Sequence, residues 1–407
     1  MKKKTVCVVG LGYIGLPTAV LLANNGFSVI GYDTNNKIVK NLNKKILHIV
    51  EPNVDRLLKT AISKGRLKVS NKVVKCDVYI ICVPTPANKK NNIYVPNIDY
   101  VITATKSIAP FIKKGDLIIL ESTCPVGSTK KIEDLLIKEG VNLKDVYIAY
   151  CPERVLPGNI IKELIENDRI VGGLSLKSSK KVSSFYSLFV KGKIIQTDAK
   201  SAELCKLTEN SFRDVNIAFA NELSMICENL GIDVFNLIKI ANKHPRVNIL
   251  QPGVGVGGHC IAIDPWFIVS EDFKNSKLIR KAREVNEFKT KWVIKKIKTY
   301  ADEFTIKKGI KPKIACLGLT FKPDIDDLRE SKALKVAETL FDDGYKVTAV
   351  EPNISSHNKL DLISFTDAIE DSDIICILVK HKNFIFTKNK KKLSPIKIFD
   401  FCNAFTQ

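Results

Sequence analysis

The sequence predicts an α/β protein in which two doubly wound parallel sheets are joined by a long central helix. Three observations carry this. The first third of the chain alternates short β-branched runs with helical segments. About thirty residues then place apolar side chains at helical spacing without a glycine or proline. The last hundred or so residues return to alternation.

Taken in order, Lys4–Val9 reads as a strand, Tyr13–Asn25 as a helix and Phe27–Tyr32 as a strand that closes on Asp33. Val78–Val83, Leu117–Leu120 and Tyr147–Cys151 are further strands, so this part is Rossmann-like. From Ser201 to Leu230, the positions Leu204, Leu207, Phe212, Val215, Ala218, Phe219, Leu223 and Ile226 share a helical period, and no breaker comes before Gly231. A helix of this length exceeds the globular norm. It suggests a spine that joins domains and offers a dimer surface. Val234–Lys243 and Lys277–Tyr300 are further helical segments. Phe304–Lys313, polar and lysine-rich, is the expected linker. Strands at Lys313–Gly318, Lys346–Val350 and Ile374–Val379, with a helix at Ala333–Phe341, form a second, smaller Rossmann-like unit. The sequence shows no repeat between the two.

With 407 residues, 45% of them apolar, the chain can fill two or three cores. The net charge of +21 raises the question of nucleic acid. The lysines are spread along the whole chain, however, and the only dense runs are Lys2–Lys4 and Lys388–Lys392. No nucleic-acid partner is expected, and the positive field suits an anionic substrate such as a nucleoside diphosphate. Eleven cysteines occur singly, without a CxxC pair or a Cys/His cluster, as core thiols of a reducing compartment do. No metal site is expected. No apolar stretch is long enough to cross a bilayer, and the basic start Met1 to Lys4 leads into a short run broken by Gly10, Gly12 and Gly15. A cytoplasmic protein without a membrane partner is the expectation.

Gly10-Leu-Gly12-Tyr-Ile-Gly15 follows the first strand and opens a helix, and Asp33 ends the next strand 18 residues past Gly15. Gly10 allows the tight turn, Gly12 lets the backbone approach a pyrophosphate and Gly15 lets helix and strand pack closely. The helix N-terminus then faces phosphate charge. Asp33 can accept hydrogen bonds from both ribose hydroxyls and would repel a 2′-phosphate. NAD is therefore the predicted cofactor.

A second glycine-rich loop, Gly253-Val-Gly255-Val-Gly257-Gly258-His259-Cys260, precedes Ile261-Ala-Ile263-Asp264-Pro265. A cysteine at the end of a loop that can lie against a ligand reads as a reactive thiol. Lys206, Asn210 and Arg213 recur at i, i+4 and i+7 on the long helix. A lysine and an amide on one stripe can hold an oxyanion; a solvated helix face has the same spacing. Glu153 and Arg154 follow a strand, where open α/β sheets place their ligands, and a surface ion pair in a turn has the same pattern. Thr123, in Glu121-Ser122-Thr123-Cys124-Pro125-Val126-Gly127-Ser128, lies after another strand, where it could hold a water or the nicotinamide amide.

Together the segments GLGYIGLP, VPTP at Val83–Pro86, STCPVGST, PERVLPG, CKLTENSFRDVN, GVGVGGHCIAIDP and Gly318–Ser331 resemble, in order, the UDP-glucose/GDP-mannose dehydrogenase family over nearly the full chain. Ile263, where hexose-oxidising members usually carry lysine, together with His259, Arg154 and His244-Pro-Arg246, makes the chain most similar to the branch acting on N-acetylated sugars. The resemblance implies that Cys260 is the nucleophile, and that Lys206 steadies the oxyanion and with Asp264 handles protons and water. Glu153 and Thr123 would position the hydrolytic water. Arg154, Val155, Lys206, Asn210, Arg213, His244, Arg246, Gly257, Phe321 and Lys322 would line the UDP-sugar site. Tyr13, Ile14, Asp33, Thr85, Thr123 and Arg329 would contact NAD, and Arg246 or Arg329 would reach the site of a neighbouring subunit in a homodimer. The basic residue that relatives often place after a C-terminal strand aspartate is missing from Phe399-Asp400-Phe401-Cys402-Asn403.

The implied organisation is an NAD-binding domain over 1–197, a central helical dimerisation domain over 198–303 and a UDP-binding domain over 304–407. The implied activity is oxidation of a UDP-N-acetylhexosamine at C6, with the manno sugar preferred and the gluco sugar as the alternative. A two-electron NAD dehydrogenase, which needs no thiol, is the alternative chemistry.

Overall fold

The computed structural model describes residues 4–90, 93–258, 260–384 and 396–404. His259, the Lys388–Lys392 run and the start of the Lys2–Lys4 run lie outside the described residues. The chain divides into two compact units, residues 1–208 with 266–271, and residues 209–265 with 272–407.

The first unit is built on an eight-stranded sheet of β1 (Thr5–Val9), β2 (Ser28–Tyr32), β3 (Leu67–Ser70), β4 (Val78–Ile81), β5 (Leu117–Leu120), β6 (Tyr147–Tyr150), β7 (Arg169–Gly173) and β8 (Ile194–Asp198). Their order is β8-β7-β6-β5-β4-β1-β2-β3, and only the β6–β7 pair is antiparallel. The sequences VYII, LIIL and YIAY are buried at every position. Strands covered on both faces read as continuous apolar runs, which is why they form a parallel sheet interior. Alternate side chains feed two layers: Val6, Val8, Val78 and Ile80 enter one, while Cys7, Val9, Tyr79 and Ile81 enter the other.

The second unit holds a five-stranded parallel sheet, β9 (Lys313–Leu317), β10 (Lys346–Val350), β11 (Asp361–Leu362), β12 (Ile374–Ile377) and β13 (Lys397–Asp400), in the order β11-β10-β9-β12-β13. The helices that position the site are α1 (Gly15–Asn24), α2 (Ser128–Lys138), α3 (Ile160–Glu166), α4 (Leu176–Tyr186), α5 (Ala199–Leu230), α6 (Val234–Ala241), α7 (Asp264–Glu271), α8 (Lys277–Lys308) and α9 (Lys332–Asp342). The α/β class with two Rossmann-like sheets and long central helices is as predicted.

One expectation needs correction. Helix α8 runs 32 residues to Lys308, so about half of the stretch expected as a linker is helical. Lysines are good helix formers and can project into water. The stop comes instead from Gly309, whose φ of +73° is the left-handed cap that ends helices. Only Gly309–Pro312 separates α8 from β9.

A kinship invisible in the sequence connects the two sheets. After β1, Gly10 takes φ +89° and donates to the Tyr32 carbonyl at 2.8 Å, and Leu11 N–H donates to Asp33 Oδ2 at 2.9 Å. After β9, Gly318 takes φ +89° and donates to the Val350 carbonyl at 2.9 Å, and Leu319 N–H donates to Glu351 Oε2 at 2.7 Å. The same turn, closed by the same strand-end acid, is used twice.

In the second unit α5 and α8 are tied by a buried polar chain. Asp214 Oδ1 accepts from Arg283 at 2.7 Å and from Asn286 at 2.8 Å, and Asn221 donates to Asn286 Oδ1 at 2.9 Å. Arg283 also donates to Glu287 at 2.9 Å, and Lys332 of α9 pairs with that same Glu287 oxygen at 2.8 Å. Replacing Arg283 with Met leaves Asp214 buried without its cation. The expected cost is about 3–5 kcal/mol, measured as a lower urea midpoint at unchanged slope. An unchanged midpoint would show that the pair contributes nothing net.

Candidate active site

The dinucleotide turn is shaped by what its glycines lack. A Cβ on Gly10 would meet the Cys82 carbonyl oxygen at 2.8 Å, and one on Gly15 would lie 1.8 Å from the Gly10 oxygen. These two glycines are required by packing. A Cβ on Gly12 would meet nothing within 4 Å. The backbone therefore faces open space there, at the start of α1, whose N-cap Ile14 supplies no side-chain hydrogen bond. In the first turn Leu16 N–H is taken by the Gly12 carbonyl at 3.1 Å and Pro17 has no N–H, so it is the turn's open backbone at Gly12, at the positive end of α1, that suits a pyrophosphate. Asp33 is held by Leu11 N–H on one oxygen and by Asn35 N–H on the other at 2.8 Å, and each carboxylate oxygen retains acceptor capacity. Thr85 Oγ1 donates to the Thr123 carbonyl at 2.6 Å, joining the loops after β4 and β5. Tyr13 is exposed and Ile14 half-buried beside the turn. These residues fit the dinucleotide that the sequence predicts.

The loop after β6 carries Glu153, Arg154 and Val155. Glu153 is buried, and its partner is not the neighbouring Arg154 side chain. Its Oε1 accepts from the Arg154 backbone N–H at 2.6 Å, and its Oε2 pairs with Arg169 at 3.1 Å. Arg154 reaches back to the Asp168 carbonyl at 3.2 Å, and Val155 packs against the core. The far end of the loop is fixed by Glu51, a buried carboxylate that accepts from Gly158 N–H and Ile160 N–H, both at 2.8 Å. Those amides open α3. Glu203, near the start of α5, does the same for the loop after β5. It accepts from Gly127 N–H at 2.6 Å and from Thr129 N–H at 2.7 Å, and burial pushes its carboxyl up. Lys206, half-buried, follows Glu203 by just under one helical turn.

In the second unit, Asn210 Nδ2 donates to Asp264 Oδ2 at 2.5 Å, and both residues are buried. Asp264 N–H in turn donates to the Cys260 carbonyl at 2.8 Å, so Cys260 stands one turn before the carboxylate. Among the described residues Cys260 is the one exposed cysteine; seven others are buried and three are half-buried. The glycine loop before it is clamped from two sides. Asn221 accepts from Gly253 N–H at 2.9 Å, and Thr290 Oγ1 donates to the Val254 carbonyl at 2.8 Å. A Cβ on Gly255 would lie 2.5 Å from Thr290 Oγ1, and one on Gly257 would lie 2.6 Å from the Glu330 carbonyl oxygen. Phe321 and Arg329 belong to the segment that forms the other wall, where Gly258 N–H donates to the Arg329 carbonyl at 3.3 Å. The Arg329 guanidinium makes a forked pair with Asp327, its closest contact 2.6 Å. Lys322 is half-buried in that segment, and Arg213, His244 and Arg246 are exposed.

Several residues that shape the site were not picked out from the sequence. Glu51, Glu203 and Asp214 act through backbone amides or buried arginines, and no local motif announces that. Arg169 left only a faint signal: it is the charge that heads the apolar run Ile170–Gly173. Behind the Phe321–Lys322 segment, buried His381 bonds Glu351 at 3.0 Å and accepts from Asp324 N–H at 2.9 Å; the His381 pairing holds the Glu351 carboxyl down at about 2. The turn after β13, which lacks its own basic residue, is met by Lys380, which donates to the Asn403 carbonyl at 2.6 Å.

The chain has close likenesses among known proteins. Residues 4–190, 200–288 and 315–407 match the NAD binding, central and UDP binding domains of the UDP-glucose/GDP-mannose dehydrogenase family. A UDP-N-acetyl-D-mannosamine dehydrogenase of Campylobacter jejuni is 50% identical, covering 96% of this chain and 98% of that protein. An NDP-N-acetyl-D-galactosaminuronic acid dehydrogenase of Ralstonia nicotianae is 48% identical, covering 94% and 92%. A UDP-D-ManNAc dehydrogenase structure from Pyrococcus horikoshii superposes with a TM-score of 0.89 at 39% identity, covering 99% of this chain and 96% of that one.

The two kinds of glycine separate experimentally. Gly12→Ala is expected to fold normally yet weaken NAD binding about tenfold or more, because the added methyl enters the space a pyrophosphate would approach. Gly10→Ala is expected to lose thermal stability, since φ +89° and the Cys82 carbonyl both exclude a side chain. Tight NAD binding by Gly12→Ala in titration would remove the dinucleotide from this turn.

Proposed function

The chain belongs to the UDP-glucose/GDP-mannose dehydrogenase family, and from that membership we propose that it oxidises the C6 alcohol of UDP-N-acetyl-D-mannosamine to UDP-N-acetyl-D-mannosaminuronate through a covalent intermediate on Cys260. It is an NAD-dependent oxidoreductase of nucleotide sugars. The observation that carries the mechanism is the placement of its one exposed cysteine, at the end of a clamped glycine loop and one turn before an Asn210-bonded Asp264.

NAD, when bound at the Gly10–Gly15 turn, supplies the hydride acceptor. As the first hydride leaves C6, Lys206 and Asp264 manage the hydroxyl proton, and an aldehyde results. The Cys260 sulfur adds to the aldehyde carbon, with Lys206 steadying the oxyanion of the adduct. A second hydride would pass from this thiohemiacetal to a second NAD that replaces the first NADH, so a thioester remains on Cys260 and four electrons have been removed in two steps. Water positioned by Glu153 and Thr123 attacks the thioester carbon. The carbon–sulfur bond breaks, the carboxylate departs and the thiol is restored. Covalent capture explains the need for a thiol: the aldehyde never leaves between oxidations. Arg154, Val155, Asn210, Arg213, His244, Arg246, Gly257, Phe321 and Lys322 are the proposed UDP-sugar contacts, and Arg329 joins Tyr13, Ile14, Asp33, Thr85 and Thr123 toward NAD. The uronate product suits polysaccharide biosynthesis in the cytoplasm.

A second reading of the sugar has its own support, the 48% identity to the galactosaminuronic acid enzyme. A panel of UDP-N-acetylhexosamines and UDP-glucose, with NADH counted against sugar consumed, decides both points. The expected result is the manno sugar best and two NADH per sugar. One NADH per sugar would end the thioester mechanism, and UDP-glucose as the best substrate would end the branch assignment. Cys260→Ser is expected to lose steady turnover.

We also propose a homodimer through α5. Phe212, Phe219 and Ile226 recur every seven residues along it and are exposed, as is Leu230. That spacing keeps them on one stripe. Phe219→Asp is expected to shift the protein toward the monomer in sedimentation; an unmoved oligomer would place the interface elsewhere.

A further inference from the structure

Four buried polar side chains and the half-buried Cys82, none used by a step above, cluster beneath the Glu153 loop. Cys82 follows β4, Glu121 follows β5, Cys151 follows β6, Arg169 opens β7 and Tyr186 ends α4. Arg169, only 4% exposed, is the one cation of the group. It lies 3.1 Å from Glu153 Oε2 and 3.5 Å from Glu121 Oε1, and it donates to Cys151 Sγ at 3.8 Å. Its guanidinium carbon is 5.1 Å from the centre of the Tyr186 ring. The Tyr186 hydroxyl donates to that same Glu121 Oε1 at 2.6 Å, and the Cys82 thiol donates to Oε2 at 3.3 Å.

Two carboxylates thus share one guanidinium that cannot lose its proton. They are not equivalent. Burial pushes the Glu121 carboxyl up, against the pull of Arg169. Glu153 accepts a hydrogen bond from Arg154 N–H, at 2.6 Å on Oε1, so its buried Oε2 depends on the ion pair with Arg169 at 3.1 Å. Packing alone does not require this arrangement: an arginine this deep costs heavily to desolvate and would be balanced by one acid.

We propose that Arg169 is a positioning residue for the oxidation, holding the Glu153 carboxylate in place, with Glu121 as the competing carboxylate that sets how much of the cation Glu153 receives. This rests on Glu153 acting on the hydrolytic water. The sign follows from the charges. Removing the cation takes away the positive charge that faces Glu153 Oε2, so activity is expected to be lost at a higher pH on acidification. Removing the rival acid leaves the cation to Glu153 alone, so activity survives to a lower pH.

The test is the pH profile of kcat for the full chain with NAD and UDP-N-acetyl-D-mannosamine. Arg169→Met is expected to move the acid limb up by about one to two pH units, the usual effect of losing an adjacent arginine. Glu121→Gln keeps the size of the side chain and an acceptor for Tyr186, and is expected to move the limb down. Opposite movements support the proposal, since lost packing would lower kcat by one factor at every pH. Equal losses without movement in either variant overturn it. Should Arg169→Met fail to fold, Glu121→Gln decides: a downward shift supports the proposal and an unmoved limb overturns it. Glu153→Gln tests the underlying reading separately. Wild-type turnover in that variant would mean that Glu153 does not act on the water, whereas a lost acid limb would leave Arg169 to be judged by its own variants.

Discussion

The buried pair of Asp214 and Arg283 is the constraint on which the second unit turns. Asp214 is held by Arg283 and Asn286 of α8, Asn286 holds Asn221 of α5, and Asn221 holds the first amide of the glycine loop. The links among Asp214, Arg283, Asn286 and Asn221 are buried, so losing one strands polar groups away from water. Arg283 extends the chain through Glu287 to Lys332 of α9. The loop that ends in Cys260 therefore inherits its place from a helix pair rather than from its own sequence, and its glycines are what let it lie close to Thr290 and Glu330.

What was legible in the sequence is what depends on local pattern. The parallel strands announced themselves because both faces are covered and every position is apolar. The dinucleotide turn was legible because three backbone requirements fall on three glycines at fixed spacing. The end of α8 was not, because a lysine-rich stretch reads as linker or as exposed helix with equal ease, and only the left-handed Gly309 decides. Glu153 was found as a strand-end acid, but its true partner lies sixteen residues on in β7. Glu51 was missed altogether, since its two amide partners are more than a hundred residues away. Long-range polar contacts leave no periodicity to read.

The two sheets make one turn serve two ends. Asp33 keeps acceptor capacity beside an open space over Gly12. Glu351, its counterpart, is taken up by His381, by Leu319 and Thr320 N–H, and by Asn353. One acid faces outward, with acceptor capacity to spare. The other faces inward, and braces the segment that carries Phe321 and Lys322. The same backbone device stays open after β1 and is closed after β9 by His381, which stands four residues beyond β12.

The distribution of sulfur has a consequence of another kind. Ten of the eleven thiols are wholly or partly withdrawn from solvent, and burial pushes Cys82, Cys151 and Cys402 toward the unreactive protonated form. An alkylating reagent meeting the native protein encounters Cys260 first. On the proposed mechanism, uptake of label by the folded state becomes a census of competent sites, and oxidants that reach the protein are steered to the same sulfur, so the thiol proposed to carry turnover is also the most exposed chemical liability.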